Sequence, residues 1–462
     1  MKTPTGLIAR MHILDPVHGP IPITQVEYEI ISSPIFQRLR FITQLSQTHL
    51  VFPGATHNRF QHSLGAMYIM DKLLNTLKEN EFLRYKEKDY KEIVQKMRLS
   101  ALLHDCGHLP FSHTFENKDE EIDHEYFGKC IVERSSFKEK MEDYGINPKS
   151  VGGLITGKIN ATDAHFNELT ELSPLLSSHA DCDRMDYLLR DAYFTGVPYG
   201  TFDVNRIINF IALENRQIGF LEKAQDAIED FLFSRYQMYR IVYIHKTVLC
   251  YELILKKIHA KFFKKYNDQL ELPFFLPRKR DFKNADLDWF ENKFSNLTER
   301  DFFISVNKLL RFDAIQKEDK ISLKKLYERI TYRKPIKNCY RFDNLAQVKK
   351  TEYCDREIDC YKKLKGHSNI VNHWSFLRYN PAKPIIIADP ITKQGEEDRQ
   401  DPKYIRIINK NPSKGEKIRL LQEQTNSYIN SLARHHRVLI CYYHQKEEAQ
   451  KVIKELANKL ID

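Results

Sequence analysis

Apolar residues recur at three- and four-residue intervals over much of the first part of the chain. Four segments show this spacing: residues 62–77, 92–107, 187–194 and 221–260. The spacing places apolar side chains on one face of an α-helix. Gly107 and Pro110 follow the second segment as helix stop signals. The pattern therefore predicts an all-helical core, which we assign to residues 1–330.

The hydrophobic pattern changes after about residue 331. Three short runs of β-type residues are separated by turn residues: residues 383–390, 404–409 and 437–443. Residues 391–402 are polar and predict an exposed loop, whereas residues 447–460 have a helical pattern. We therefore expect a mainly α protein with a smaller C-terminal α/β (α+β) module over residues 331–462.

The composition is that of a globular protein. The chain has 462 residues, of which 42% are hydrophobic and 29% are charged. No apolar run reaches the ~18 residues that a membrane span needs, and the N-terminus lacks the apolar stretch of a secretory signal. The eight cysteines form no CxxC pair, which favours a reducing compartment. We expect a cytoplasmic protein of two or three domains that does not associate with membranes.

The net charge of +10 comes entirely from the C-terminal part of the chain. Residues 331–462 contain 26 Lys and Arg against 16 Asp and Glu, whereas residues 1–330 contain 46 of each kind. A basic module can attract nucleic acid or a polyphosphate ligand. Acidic residues interspersed with basic ones are equally typical of a solvated lysine-rich surface, and the sequence leaves both interpretations open.

Two histidines and two aspartates form a candidate metal site. His104 and Asp105 are adjacent at the end of one helical segment, while His62 lies in an earlier segment and Asp183 in a later one. Two imidazoles and two carboxylates suit Fe, Mn, Mg, Ni or Zn, and the absence of cysteine ligands argues against a closed structural zinc site. The alternative is that these polar residues cap the core.

More histidines follow the His-Asp pair. His104 and His108 are four residues apart and are expected on one helical face. His113, Glu116 and His124 come next, and such groups beside a metal can transfer protons and stabilise an oxyanion. Taken singly, each histidine is as well explained as a surface or core residue. Two arginines near these segments have the charge to bind phosphate oxygens: Arg59 and Arg184.

With these motifs the sequence resembles the HD-domain deoxynucleoside triphosphate triphosphohydrolases. The matching segments lie in order within about residues 10–260: DPVHG (15–19), PIFQRLRFITQL (34–45), VFPGATHNRFQHSLG (51–65), LLHDCGHLPFSH (102–113), HADCDRMDYLLRD (179–191), TGVPYGTFDVNRI (195–207) and RYQMYRIVYIHK (235–246). The resemblance implies hydrolysis of a dNTP to a deoxynucleoside and inorganic triphosphate. It also implies a divalent metal ion, which is Mn, Mg, Fe, Ni, Co or Zn.

The resemblance implies a role for each residue of the candidate site. The implied metal ligands are His62, His104, Asp105 and Asp183. The implied catalytic residues around the scissile bond are His108, His113, Glu116 and His124, and either His124 or His108 would protonate the leaving 5′-oxygen. The implied substrate-binding residues are Arg59, Arg184 and Tyr187 for phosphate, Arg235 for phosphate or the base edge, and Gln44, Leu45, Asp191 and Tyr243 for the sugar, where Tyr243 would exclude a 2′-hydroxyl.

Three positions depart from the family pattern. Ser32 stands where the vertebrate member has an aspartate that reads the guanine of an activating nucleotide, although its companions Gln37 and Arg40 are retained. Glu116 replaces an aspartate, and Tyr239 replaces a histidine four residues before the sugar-binding tyrosine. We therefore expect a nucleotide effector site around Gln37 and Arg40 whose base specificity differs from that of the vertebrate enzyme.

Two other functions compete with this interpretation. An HD phosphodiesterase or phosphatase that acts on another nucleotide would use the same helical metal site. A nucleic-acid-binding, effector-gated oligomer would instead use the basic module, because residues 331–380 interleave basic and aromatic side chains. By resemblance to the family, we also expect a homo-oligomer, either a dimer or a tetramer.

Overall fold

The computed structural model describes residues 2–117, 121–346, 352–379, 404–409, 417–421 and 436–460. The protein is mainly α, with small sheets. Its α-helices are α1 Gln25–Ile31, α2 Pro34–Gln37, α3 Arg59–Glu79, α4 Glu87–Leu103, α5 His124–Arg134, α6 Ser136–Glu142, α7 Pro148–Thr156, α8 Phe166–Leu172, α9 Cys182–Thr195, α10 Val204–Asn209, α11 Gln225–Met238, α12 Lys246–Ile258, α13 Lys264–Tyr266, α14 Lys279–Asn284, α15 Glu299–Arg311, α16 Lys317–Thr331, α17 Glu352–Lys365, α18 Ser368–Val371 and α19 Glu447–Leu460. None of the helices in these ranges has the length and hydropathy needed to span a membrane.

The strands of the described residues form three small sheets. Their bounds are β1 Met11–Asp15, β2 Gly19–Ile23, β3 Ile211–Glu214, β4 Gln217–Leu221, β5 Asn338–Ala346, β6 Leu377–Tyr379, β7 Arg406–Ile408, β8 Ile418–Leu420 and β9 His436–Tyr443. β1 and β2 form an antiparallel hairpin, and the other sheets have the orders β3-β4-β7-β8 and β5-β9-β6. The predicted fold class, a helical protein with a smaller α/β region, is confirmed.

The helices predicted from the apolar spacing are all present, with one difference at a boundary. The second segment ends as α4 at Leu103, and residues 104–107 form a turn. The prediction that His104 and His108 share one helical face is therefore wrong. The last segment is divided into α11 and α12 by a π-helical turn over Tyr239–Tyr243.

Helix α3 is the central helix of the core, and it packs against α4 and α9. Its N-terminus carries a capping box, in which Asn58 Oδ1 accepts a hydrogen bond from the Gln61 backbone and Gln61 Oε1 accepts one from the Asn58 backbone. Gly65 lies where α3 meets α9, and a Cβ atom there would overlap the side chains of Asp186 and Arg190. A glycine is therefore needed for the two helices to approach this closely.

The C-terminal part contains the predicted strands at 404–409 and 437–443 and the predicted terminal helix. The predicted strand at 383–390 and the predicted loop at 391–402 lie outside the described residues. β7 pairs in parallel with β4, through Phe220 and Ile407. A second apolar cluster forms where α17 and α19 pack near β5 and β9.

Candidate active site

The four predicted metal ligands come together at the ends of three helices. His62 lies in the second turn of α3, His104 and Asp105 follow α4, and Asp183 lies in the first turn of α9. His62 Nε2 is 3.3 Å from His104 Nε2 and 3.0 Å from Asp183 Oδ1. His104 Nε2 is 3.4 Å from Asp105 Oδ1. The four side chains thus direct their donor atoms at one small volume.

The two imidazoles have their outer nitrogens occupied. His104 Nδ1 lies 2.8 Å from the Ala101 carbonyl, which only accepts hydrogen bonds, so this nitrogen carries the proton. His62 Nδ1 donates to Asp186 Oδ2 at 2.8 Å. Both Nε2 atoms therefore face the cluster, where each can offer a lone pair to a cation in place of a proton, as metal-bound histidines do when a carbonyl or carboxylate holds the opposite nitrogen. This donor set fits a divalent cation.

The carboxylates make the centre of the cluster strongly electronegative. Burial by itself would lower the pKa of His62, but hydrogen bonds to Asp183 and Asp186 raise it to about 10. Burial also opposes ionisation of Asp183, yet contacts with His104 and His62 hold its pKa below the ordinary value. A position that attracts a proton this strongly also attracts a metal cation.

A buried charge network behind His62 was not predicted from the sequence. Asp186 Oδ1 lies 2.6 Å from His18 Nε2, and Arg190 Nε donates to Asp186 Oδ2 at 2.8 Å. Arg190 Nη1 donates to Asp15 at 2.8 Å. Asp186 and Arg190 lie one turn apart on α9, so the DRMDYLLRD string carried a signal for them. The network fixes the orientation of the His62 ring.

The three other histidines form a second group around Glu116. His113 Nδ1 and His124 Nδ1 lie 2.6 and 2.7 Å from the two carboxylate oxygens of Glu116. The His108 and His124 rings are stacked with centroids 3.9 Å apart. A Cβ atom on Gly107 would overlap the backbone at His124, so this tight turn is what brings the two rings together.

The charges around this group set different protonation states. Burial and the positive charges of Arg59 and His124 hold the pKa of His108 well below its ordinary value. Burial would raise the pKa of Glu116, but hydrogen bonds from His113 and His124 hold it below the ordinary value. His108 is therefore neutral at neutral pH, while Glu116 is an anion.

Arg59, the first residue of α3, links the metal ligands to a strained turn. Its Nη1 pairs with Asp105 Oδ2, and its Nε donates to Ser112 Oγ at 2.9 Å. Phe111 and Ser112 have φ values of 64° and 52°, which are costly for residues other than glycine. Glu299 Oε1 accepts hydrogen bonds from the Phe111 and Thr43 backbones at 3.2 and 2.9 Å and so holds this turn.

A cavity of about 500 Å³ extends outward from this group. A smaller, inner cavity of about 190 Å³ lies beside it and is lined by the predicted metal ligands His104, Asp105 and Asp183. The residues that line both cavities are Gln44, Arg59, His113 and Tyr187. The two cavities are therefore adjacent and share part of their walls, and the candidate metal ligands line the smaller one.

The wall of the outer cavity carries the predicted sugar-binding residues. Tyr243 Oη donates to Asp191 Oδ2 at 2.6 Å, and His57 Nε2 lies 2.7 Å from Asp191 Oδ1. The π-helical turn places the Tyr239 ring edge-on to Tyr243, with centroids 5.1 Å apart. The rings of Tyr187 and Tyr243 are 6.4 Å apart. His57, which orients Asp191, was missed by the sequence analysis.

Two arginines have buried donor atoms without acceptors. Among the described residues, the buried Nε of Arg184 and the buried Nε and Nη1 of Arg235 have no hydrogen-bond partner. Arg184 lines the inner cavity and pairs through Nη1 with Asp181. Arg235 lies behind the ring of Tyr239, 5.7 Å from its centroid. The unused donor of Arg184 beside the inner cavity favours an anionic ligand, because unpaired buried donors are costly, whereas Arg235 lines neither cavity.

Comparison with known proteins identifies the helices that hold this site. Residues 59–191, from Arg59 of α3 to Asp191 of α9, match the HD domain family. The chain therefore contains an HD domain. The match begins at Arg59 and ends at Asp191, which both line the outer cavity. It contains all four candidate metal ligands and the histidine group around Glu116.

The HD-domain chain shares 38% identity over 262 residues with the uncharacterized protein YwfO of Bacillus subtilis (strain 168), which covers 56% of this chain and 57% of that protein. It is 30% identical over 275 residues to the deoxynucleoside triphosphate triphosphohydrolase SAMHD1 homolog of Dictyostelium discoideum, covering 56% and 51%. A phosphohydrolase from Bacteroides thetaiotaomicron VPI-5482 matches with a TM-score of 0.67 at 25% identity, over 94% of this chain and 99% of that chain. The chain spans about half the length of the curated relatives it matches. The resemblance to HD-domain triphosphohydrolases is confirmed over about half of this chain.

The predicted effector residues of this HD-domain protein lie outside the two cavities. Arg40 is exposed, its Nε donates to Gln37 Oε1 at 2.7 Å, and its guanidinium lies 3.5 Å from the centroid of the Phe60 ring. Gln37 Nε2 donates to the Ile31 carbonyl at 2.7 Å. The two side chains support each other, and an effector site around them stays a prediction.

Proposed function

We propose that the protein hydrolyses a dNTP to a deoxynucleoside and inorganic triphosphate with the help of a divalent metal ion. One observation carries the proposal: the cavity lined by the metal ligands shares four wall residues with the cavity bordered by Tyr243 and Asp191, so the two lie side by side. A nucleotide could thus place its phosphates at the ligands and its sugar at the tyrosine. The Dictyostelium relative, which carries the name of such an enzyme, supports the same reaction.

The inner cavity suits a polyanion. A triphosphate carries about four negative charges at neutral pH, and preorganised cationic groups stabilise such charge in a site that excludes water. Arg59 and Arg184 line this cavity. A divalent cation held by His62, His104, Asp105 and Asp183 would act as a Lewis acid on the phosphoryl oxygens; Mn, Mg, Fe, Ni, Co and Zn are all compatible with this donor set.

The histidine group supplies the proton that the reaction needs. Water attacks the α-phosphorus, and the bond to the 5′-oxygen breaks, so that oxygen must take up a proton. His124 is the better placed donor, because Glu116 holds its Nδ1 at 2.7 Å and fixes the orientation of the ring. His108 is held neutral by Arg59 and His124 and stacks on the His124 ring, which it keeps in position.

The sugar end explains a preference for deoxyribose. Asp191 is anchored by His57 and Tyr243, so its carboxylate is oriented to accept a hydrogen bond from a 3′-hydroxyl. The ring of Tyr243 borders the same space, where the extra oxygen of a ribose would be crowded. Gln44 and Leu45 line the same cavity and would contact the sugar there.

The test is a product assay. Purified protein with Mn²⁺, Mg²⁺ or Co²⁺ is incubated with each of the four dNTPs, singly and in mixtures, and the products are separated by ion-exchange chromatography. We expect deoxynucleoside and triphosphate, and loss of both in the His104→Ala/Asp105→Ala variant. His367→Ala, at an exposed position, is the matched control. Release of pyrophosphate and a monophosphate would refute the proposal.

Regulation by a nucleotide effector and self-association are part of the same proposal. Activity that appears only in dNTP mixtures, and that is lost in Arg40→Ala, would support an effector bound near Gln37 and Arg40. Light scattering with and without dNTPs tests the dimer or tetramer. A strict monomer at micromolar concentration under both conditions would contradict it.

A further inference from the structure

One face of α12 lines the outer cavity at the end away from the metal ligands. Leu249, Glu252 and Lys256 are spaced three and four residues apart, and all three side chains border this cavity. None of the three borders the inner cavity that holds the metal ligands. Side chains at this spacing share one helical face, so α12 presents a carboxyl and an amine together to the far end of the cavity.

The carboxyl of Glu252 is half-buried in the wall of this cavity. Within the described ranges it makes no hydrogen bond, and Lys256, one helical turn away, supplies the electrostatic contact that it has. Burial raises the pKa of Glu252 to about 7, against the opposing effect of Lys256. A half-buried carboxyl that accepts no hydrogen bond from the described residues is available to a ligand that donates hydrogen bonds.

The charge of Glu252 determines which part of a nucleotide it can contact. A carboxylate repels a triphosphate. The triphosphate is instead attracted to the inner cavity, where Arg59, Arg184 and a cation held by the candidate metal ligands would offset its charge. The sugar contacts, Asp191 and Tyr243, lie in the outer cavity together with Glu252. With the phosphates placed at the inner end, the base is the part of the nucleotide that reaches α12.

We propose that Glu252 and Lys256 form a base-reading pair for the Watson–Crick edge of guanine. The carboxylate accepts hydrogen bonds from N1–H and the 2-amino group, and the ammonium donates to O6. Adenine, cytosine and thymine each offer one donor group on this edge, so a carboxylate cannot bind them through two different groups. The inference rests on the proposed function, since it places the phosphates at the metal ligands.

The experiment compares kcat/KM for dGTP, dITP and dATP. Hypoxanthine lacks the 2-amino group but keeps O6, so the wild type should prefer dGTP over dITP by roughly 5- to 150-fold, the range of a good bidentate contact. Glu252→Gln should reduce that ratio towards one. Lys256→Met should lower kcat/KM for dGTP and dITP alike and leave dATP unchanged. Glu271→Gln, an exposed glutamate, is the matched control.

The outcomes separate this inference from the function on which it rests. If dNTPs are hydrolysed but Glu252→Gln keeps the wild-type ratio of dGTP to dITP, the base-reading pair is refuted and the function stands. If no dNTP is hydrolysed, the function fails, and calorimetric binding of dGTP and dITP to the wild type with Mn²⁺ gives the same comparison. Equal affinities there would overturn the inference. Circular dichroism checks that each variant is folded.

Discussion

His62 Nε2 and His104 Nε2 face each other at 3.3 Å, and the opposite nitrogen of each ring is already hydrogen-bonded. Two imidazole lone pairs at this distance repel each other unless a cation or a proton lies beside them. Asp186 supports this arrangement from behind, because it accepts the hydrogen bond from His62 Nδ1. The binding of a metal ion therefore depends on a residue that is not itself a candidate ligand.

Asp186→Asn is expected to weaken metal binding by about 10- to 100-fold, the usual effect of removing the partner of a metal-bound histidine. The amide keeps the shape of the side chain but loses the charge that holds the His62 tautomer. Calorimetric titration of EDTA-treated protein with Mn²⁺ measures the affinity. Asp143→Asn, at an exposed position, serves as the control. An unchanged affinity in a folded Asp186→Asn protein would contradict this account.

Gly65→Ala is expected to destabilise the fold by about 1–3 kcal/mol, as added volume does in a tightly packed core. The new Cβ atom would overlap Asp186 and Arg190 and separate α3 from α9. Gly128→Ala provides the matched control, because its nearest neighbour would be at 3.6 Å and alanine favours a helix. Urea unfolding measures both free energies, and equal values for the two variants would show that the contact at Gly65 relaxes without cost.

Glu299 is expected to make the stability fall as pH rises from about 4.5 to 7. Burial raises the pKa of Glu299 to about 7 in the folded protein, so the folded state holds a proton that the unfolded state has released. The contribution of this proton to the free energy of unfolding is complete below the unfolded pKa of about 4.5. It is lost as the pH rises through the folded pKa. The effect is on the order of 1–3 kcal/mol.

Glu299→Gln tests this prediction, because an amide does not titrate. Urea unfolding at pH 5 and pH 8 should show a smaller difference in free energy for the variant than for the wild type. Glu271→Gln, an exposed glutamate, should retain the wild-type difference. If Glu299→Gln has the same pH dependence as the wild type, other groups account for it.

Tyr243 is expected to determine the discrimination against ribonucleotides if the protein hydrolyses dNTPs. Tyr243→Ala removes the ring and should raise the kcat/KM for an NTP relative to the matching dNTP. Tyr243→Phe keeps the ring and loses only the hydrogen bond to Asp191, so it should retain the discrimination while lowering kcat/KM for both substrates. Steady-state assays measure the ratio of kcat/KM for each NTP to that for the matching dNTP. If this ratio is the same in Tyr243→Ala and Tyr243→Phe, another residue is responsible for the discrimination.

The local sequence was sufficient to predict the helices and most of the residues that the site brings together. Helical spacing of apolar residues is a local property, so α3, α4, α9 and α12 follow from it. The four candidate metal ligands were found because His104 and Asp105 are adjacent and the strings around His62 and Asp183 are distinctive. The error at His108 arose because periodicity does not show where a helix ends, and α4 ends at Leu103.

Residues that act across long separations could not be found in this way. Glu299 holds the turn at Phe111 from 188 positions away, and His57 orients Asp191 from 134 positions away. Glu252 stands in a segment recognised only as an apolar helix. No spacing in the sequence connects these residues with the cavity.

The sequence by itself therefore determined which side chains could do chemistry, since residue type and short-range spacing are written in the chain. The tertiary structure decided how they act. Packing of α3, α4 and α9 sets the 3.3 Å between the imidazoles, and burial beside particular neighbours makes His108 neutral and Glu116 anionic. Distances and desolvation depend on contacts between distant segments, and these exist only once the chain is folded.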